Sequence, residues 1–126
     1  MPVVGLGIDI VNIKRIEKVL SNNKSKFLLK ILHKKEKNKV KLTANSVAKK
    51  FAAKEALAKA LGTGIGKTIN FNEIYIDHSK NGEPKIKLDK NVEKRILVKL
   101  RLKKIKFFLS ISDDYPFATA TVIISN

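Results

Sequence analysis

Residues 44–62 read ANSVAKKFAAKEALAKALG, and this stretch decides the fold. From about Ala44 to Leu61 it holds no Gly or Pro, and Gly62 stands just past the last periodic residue as a stop, so the pattern predicts one long helix. At about 100° per residue, Glu55 falls roughly 40° from Phe51, with Ala48 and Ala52 on its other flank. The wheel therefore turns a carboxylate toward the packed side. Lys59 lies one turn further along that stripe, whereas Lys49, Lys50 and Lys54 point elsewhere, which makes Lys54 a natural mutational control for Lys59. Two readings of Glu55 and Lys59 stand open. One is an i,i+4 surface ion pair worth roughly a few tenths of a kcal/mol. The other is a functional pair, because a carboxylate leaving water on an Ala-lined stripe costs on the order of several kcal/mol unless a cation compensates it.

Working outward, Val3 to Val11 alternate, with Val4, Leu6, Ile8 and Ile10 on one face and Gly5, Gly7 and Asp9 on the other, which reads as a strand. Asn12 is an N-cap for a helix carrying Ile13, Ile16, Val19 and Leu20 that stops near Ser21-Asn22-Asn23. A second short amphipathic piece carries Phe27, Leu28, Ile31 and Leu32, and the basic stretch from His33 to Lys41 reads as a loop or frayed turn. Beyond the long helix, Thr63 to Lys67 form a turn-rich loop. Phe71 to Asp77 and Lys85 to Leu88 alternate as strands around the hairpin signal Asn81-Gly82. A basic helix spans about Lys90 to Leu102, and a hairpin closes the chain, with Phe107 to Ser112 and Phe117 to Ile124 on either side of Asp113-Asp114-Tyr115-Pro116. The expectation is an α+β fold: a small antiparallel sheet packed against a long central helix, with residues 1–126 as a single domain of ordinary size.

The chain lacks cysteine, so a disulfide framework, a thiolate metal site and a thiol nucleophile are excluded. Its longest uncharged run, Tyr115 to Asn126, is well short of the roughly 20 residues that span a bilayer, and its first apolar stretch meets Asp9 with no basic lead. No secretory signal and a cytoplasmic location are expected. The 27 basic residues, 24 of them Lys, outnumber 11 acidic ones for a net charge of +16, which favours an anionic partner. Composition does not choose among nucleic acid, acidic membrane, phosphorylated small molecule and acidic protein. The aromatic platform of single-strand binders is poorly represented, with no Trp, two Tyr and six Phe.

Asp9 sits inside an apolar strand, where Asp is disfavoured. It is either a strand-end carboxylate capping the following helix or one half of an acid pair with Glu55. Two carboxylates from different elements make an oxygen-rich site suited to Mg²⁺, completed by substrate phosphates and water, with Lys59 as a neighbouring phosphate ligand or proton donor. Gly62, Gly64 and Gly66 are no Walker loop, since Lys67-Thr68 lacks the full spacing. His33 and His78 share no ligand spacing and read as exposed loop residues, and Ser110 and Ser112 as sheet hydroxyls.

GLGIDIVNIKRIE at 5–17 and FAAKEALAKALGTGIG at 51–66 closely resemble the two signature segments of the bacterial holo-acyl-carrier-protein synthases, which are phosphopantetheinyl transferases. The pattern extends to Phe27 with Ile31-Leu32, Glu36, Asn81-Gly82 with Pro84, and the final Ser110-Ile111-Ser112 hairpin, and so covers essentially the whole chain. The resemblance implies transfer of 4′-phosphopantetheine from coenzyme A to a serine of an apo acyl carrier protein, releasing 3′,5′-ADP, in support of fatty acid biosynthesis. It implies that Asp9 and Glu55 hold magnesium, that Glu55 and Lys59 are catalytic, and that Lys59 contacts phosphate and protonates the leaving group. Gly64, Gly82 and Pro84 then lie along coenzyme A, and Arg15, Lys24 and Lys26 dock the acidic carrier. It further implies an α+β homotrimer with interfacial active sites and no nucleic-acid or membrane partner.

The chain departs from that pattern at two places. The family's last hairpin usually reads SISH, whereas Ser112 is followed here by Asp113, and Lys49-Lys50 stand where Gly-Arg is common. Asp113 is expected to turn toward solvent within the hairpin turn, where Asp bonds the backbone, rather than approach a Lys or the metal's water shell.

Overall fold

The computed structural model describes residues 2–37 and 42–126. Its elements run β1 (Val3–Asn12), α1 (Ile13–Ile31), α2 (Ala44–Ala60), a 3-10 turn (Phe71–Glu73), β2 (Ile74–His78), β3 (Pro84–Leu88), α3 (Lys90–Leu100), β4 (Lys106–Asp114) and β5 (Phe117–Ser125). Strands β1, β5 and β4 form an antiparallel sheet in that order, and β2 and β3 a two-stranded antiparallel ribbon. This is the expected α+β arrangement.

Helix α2 lies on one face of the three-stranded sheet because both surfaces there are made of small residues. Ala48, Ala52, Ala56 and Ala60 are buried on the helix, and Ala118, Ala120, Val122 and Ile124 on β5. A Cβ at Gly7 would overlap the Ala56 carbonyl oxygen, and one at Gly5 that of Ala60. The two glycines thus let β1 touch the helix backbone itself. Thr43 caps the helix by accepting from the Ser46 amide at 3.1 Å, and Gly62, at φ +82, ends it.

The alternation read in β1 holds, but its apolar members face away from the core. Leu6, Ile8 and Ile10 are 62–65% exposed. Their register partners Ile123, Thr121 and Thr119 on β5, with Phe108 on β4, continue the same outer face. The inner face is the one carrying Gly5, Gly7 and Asp9.

Several boundaries move for local reasons. The two pieces expected before residue 33 are one element, α1, bent at Asn23, whose φ of −155° and ψ of 64° break the helical geometry without ending it. Phe71–Glu73 form a 3-10 turn, not the start of a strand, because Glu73 reaches back to accept from the Asn70 amide at 3.0 Å. Strand β4 runs through Asp114, so only Tyr115-Pro116 connects it to β5 and the predicted four-residue turn is halved. Helix α3 ends at Leu100 because Arg101 takes the left-handed conformation at φ 56°.

Of the basic stretch 33–41, residues 38–41 lie outside the described residues, and 33–37 are anchored rather than frayed. His33, expected to be exposed, is buried: its ring stacks on Tyr75 at 5.7 Å, its Nδ1 accepts from the Lys35 amide at 3.0 Å, and its Nε2 is 3.3 Å from Asp89. Glu36 is buried as well. Its two oxygens accept from Lys54 Nζ at 2.5 Å and from the amides of His33 and Ile76 at 2.9 and 3.0 Å, with Lys50 3.7 Å away. One carboxylate therefore ties the turn after α1 to α2 and β2.

Candidate active site

The inner-face parity of β1 aims Asp9 at α2, in the row that continues through Ala120 to Ile111. Lys59 Nζ donates to Asp9 Oδ1 at 3.0 Å and to the Ile8 carbonyl at 3.1 Å. The i,i+4 pairing of Lys59 with Glu55 is thus not what the ammonium chooses. Glu55, one helical turn earlier and half-buried, has its carboxyl pushed above the usual range, first by burial and then by the Asp9 charge, with Lys59 opposing. Two carboxylates from β1 and α2 therefore stand close enough to repel each other, with one ammonium between strand and helix. The close approach at Gly7 makes that possible.

Such a pair suits a divalent cation. The mutual repulsion that raises Glu55 is what a cation between the two acids relieves, and hard oxygen donors are what Mg²⁺ takes. Among the described residues no cluster of three or more His, Cys, Asp or Glu forms, so a cation held here would have two carboxylates from the chain and would need its other ligands from water or a substrate.

Gly64 lies in the turn that wraps the end of α2. Its amide donates to the Ala58 carbonyl at 3.1 Å, its φ is +71°, and the neighbouring Gly62 amide donates to the Lys59 carbonyl at 2.9 Å. Gly82 and Pro84 belong to a different place. With Asn45, Ser46, Lys49, Lys50, His78 and Ile111 they line a cavity of about 550 Å³ to which Asp9, Glu55, Lys59 and Gly64 do not contribute. The separation follows from topology: β1 and β4 are opposite edges of the sheet, about 10 Å apart at the usual strand spacing. Glu55 and Lys59 lean over the β1 edge, and the first turns of α2 over the β4 edge.

Arg15, Lys24 and Lys26 are exposed on α1, on either side of its bend at Asn23, and make no ion pair among the described residues.

Asp113 is exposed, as expected, but it stands in strand β4 rather than in the turn and pairs with α2. It accepts from Lys49 Nζ at 3.0 Å and from Asn45 Nδ2 at 3.2 Å, and the Lys49 contact, followed by that of Asn45, holds its carboxyl below the ordinary range. Strand parity carried the signal, since Phe107, Leu109 and Ile111 all face inward and Asp113 continues the series. The buried cluster of Glu36, Lys50 and Lys54 was also invisible to the helix wheel, although a lone acid in HKKEK and two lysines one turn apart mark it.

A family profile described as the 4′-phosphopantetheinyl transferase superfamily matches residues 5–120. Holo-acyl-carrier-protein synthase of Bartonella bacilliformis is 42% identical, over 97% of this chain and 95% of its own length. The crystal structure of the Helicobacter pylori holo-acyl-carrier-protein synthase in complex with coenzyme A superposes with a TM-score of 0.83 at 40% identity, covering 95% of this chain and 99% of that one. That of the Bacillus anthracis synthase, in complex with coenzyme A (3′,5′-ADP), gives 0.77 at 36% identity, covering 97% and 96%.

Proposed function

We propose, from the premise that this chain belongs to the 4′-phosphopantetheinyl transferase superfamily and is an enzyme of its holo-acyl-carrier-protein synthase branch, that it moves 4′-phosphopantetheine from coenzyme A to a serine of an apo acyl carrier protein. The observation that carries this reading is the acid pair of Asp9 and Glu55 with Lys59 bonded to Asp9. Asp9 and Glu55 would hold Mg²⁺, which when bound neutralises charge on the pyrophosphate. The serine hydroxyl oxygen attacks the phosphorus that bears the pantetheine and the pyrophosphate bond breaks. A Glu55 oxygen takes the hydroxyl proton. Lys59, held by Asp9 and the Ile8 carbonyl, gives its proton to the departing oxygen of 3′,5′-ADP. Gly64 keeps the end of α2 open beside the transferred arm, and Gly82 and Pro84 wall the nucleotide. Incubation with coenzyme A, Mg²⁺ and apo carrier should add one phosphopantetheine to the carrier's mass. An unchanged carrier, or full activity in excess chelator, would overturn the reading.

The working enzyme is a homotrimer with active sites between subunits. The division of the site between two sheet edges supports this, because a second copy can bring its β4-edge cavity to the β1 edge of the first. The outer sheet face supports it too: Leu6, Ile8, Ile10, Phe108 and Phe117 form an exposed apolar surface in a chain of net charge +16. An Ile8→Glu variant should fold, since the side chain is 62% exposed, yet sediment as a monomer and lose transfer activity. A wild-type protein that stays monomeric at micromolar concentration would refute the trimer.

Arg15, Lys24 and Lys26 supply the docking surface for the acidic carrier. Arg15→Glu should lower kcat/KM for the carrier at least roughly tenfold at low salt, and leave KM for coenzyme A unchanged. Unaltered carrier kinetics at low salt would remove the docking role. The product serves fatty acid biosynthesis in the cytoplasm, without nucleic-acid or membrane partners. No helix among the described residues is long and apolar enough to cross a membrane.

A further inference from the structure

We infer that the outer ridge of α3, formed by Lys90, Lys94 and Val98, is a second contact for the acidic acyl carrier, which lies along α1 and extends over the junction of α1 with α3. This rests on the transferase reading above and carries the docking surface proposed there onto a separate element.

Positive charge is concentrated in this part of the chain. Residues 90–106 hold eight of the 27 cations and one acid, Glu93. Of the eight, Arg95 is paired, with Glu73 at 2.7 Å, and the other seven are exposed and make no ion pair among the described residues. Like charges gathered this closely repel one another, and an anionic partner relieves that repulsion.

The ridge has the chemistry of a protein contact. Helix α3 buries Val92 and Ile96, and at about 100° per residue the side opposite them carries Lys94, with Lys90 and Val98 one turn away in either direction. Val98 is 76% exposed, more than any other large apolar side chain among the described residues. An uncovered valine in line with two unpaired lysines fits an acidic protein face that also brings apolar groups. It offers nothing to a phosphate backbone, and α3 has no aromatic side chain on which a base could stack.

The carrier is the occupant because α3 begins where α1 ends. Asp89, the N-cap residue of α3, is 3.3 Å from Nε2 of His33, two residues past the end of α1. Arg95 is held by Glu73 to the 3-10 turn, which itself packs on α1. Both acids at this junction are thus engaged, whereas Lys34 beside His33 and Lys90 beside Asp89 are exposed and unpaired. The 19 residues of α1 measure about 28 Å, close to the diameter of a small domain. A carrier of that size seated on Arg15, Lys24 and Lys26 therefore extends to the junction.

The chain has no cysteine, so Val98→Cys, Lys26→Cys and Lys99→Cys each place a thiol-attached photo-crosslinker at a single point. Lys99 leaves α3 about 140° from Lys94 and serves as the control. With apo carrier, the labels at 98 and 26 should each give a product of one subunit and one carrier, and the label at 99 little or none. In calorimetric titrations, Lys90→Glu combined with Lys94→Glu should weaken carrier binding roughly tenfold at low salt and only about twofold at high salt, with coenzyme A affinity unchanged. The control Lys99→Glu should weaken it less than about twofold, and all these variants should melt near the wild-type temperature because the side chains are exposed and unpaired. Equal losses in Lys94→Glu and Lys99→Glu would reduce the ridge to a share of the overall field and overturn the contact. Capture at 26 without capture at 98 would remove α3 and leave the transferase reading standing. Loss of DNA duplex binding in the double variant, with carrier binding intact, would assign the ridge to nucleic acid instead. A wild-type protein that neither modifies the carrier nor is captured by it at either label would sink the transferase reading and this inference together.

Discussion

Asp9→Asn and Glu55→Gln should each lower turnover by on the order of 10²- to 10³-fold, the usual effect of withdrawing one preorganised electrostatic group from a reacting phosphate or acyl centre. The folded state should survive both changes. Glu55 is destabilised as an anion by burial and by Asp9, so a neutral isostere there removes a repulsion, and its thermal midpoint should stay level or rise. Asp9→Asn differs, because it frees the Lys59 ammonium, which now bonds Asp9 and the Ile8 carbonyl, and a small fall in midpoint is expected. The pair is best measured as rate and melting temperature together, across Mg²⁺ concentrations. Near-normal turnover in either variant would show that the two carboxylates are structural.

Loss of Glu36 or Lys54 should have the opposite signature: collapse of stability with no direct effect on chemistry. Both side chains are fully buried and bonded to each other, and burial lowers the Lys54 ammonium to about 8 while the Glu36 charge acts to raise it. Lys54 Nζ also donates to the Ile31 carbonyl at 2.7 Å, which closes the end of α1 onto α2. Removing one member of such a pair strands the other in the core at a cost of about 3–5 kcal/mol, a drop in melting temperature on the order of 10–20 °C for a chain of this size. Lys54→Ala should therefore unfold readily. It cannot serve as the neutral control for Lys59 that the helix wheel suggested, and an exposed lysine such as Lys99 on α3 is the proper choice. Chemical denaturation of Glu36→Gln, Lys54→Met and the pair together would check this. If either single variant is as stable as wild type, the cluster is no keystone.

Strand β1, helix α2, the two hairpins and the α+β class were legible from the chain because they rest on local rules: period-two alternation, an uninterrupted run ended by Gly62, and Asn81-Gly82 as a turn. The candidacy of Asp9, Glu55 and Lys59 was legible for the same reason, since strand parity set Asp9 beside Gly5 and Gly7, and helical spacing put Glu55 and Lys59 on one stripe. Their partners were not. Lys59 could have met Glu55 on its own helix, and only the contact of β1 with α2 through Gly5 and Gly7 sends it to Asp9. Asp113 could have bonded its own turn, and only the pairing of β4 with β5 through Asp114 sets it, still exposed, beside Lys49 and Asn45, which stand 64 and 68 residues before it. His33 read as an exposed residue of a basic loop, and the burial of Glu36 beside it appears only when β2 and α2 close over them. The apolar row of β1 read as an ordinary strand face, and only the three-dimensional packing shows it to be the outer one. A short-range pattern sets which way a side chain leaves its own backbone, whereas what it meets depends on elements distant in sequence, and the tertiary structure alone brings those together.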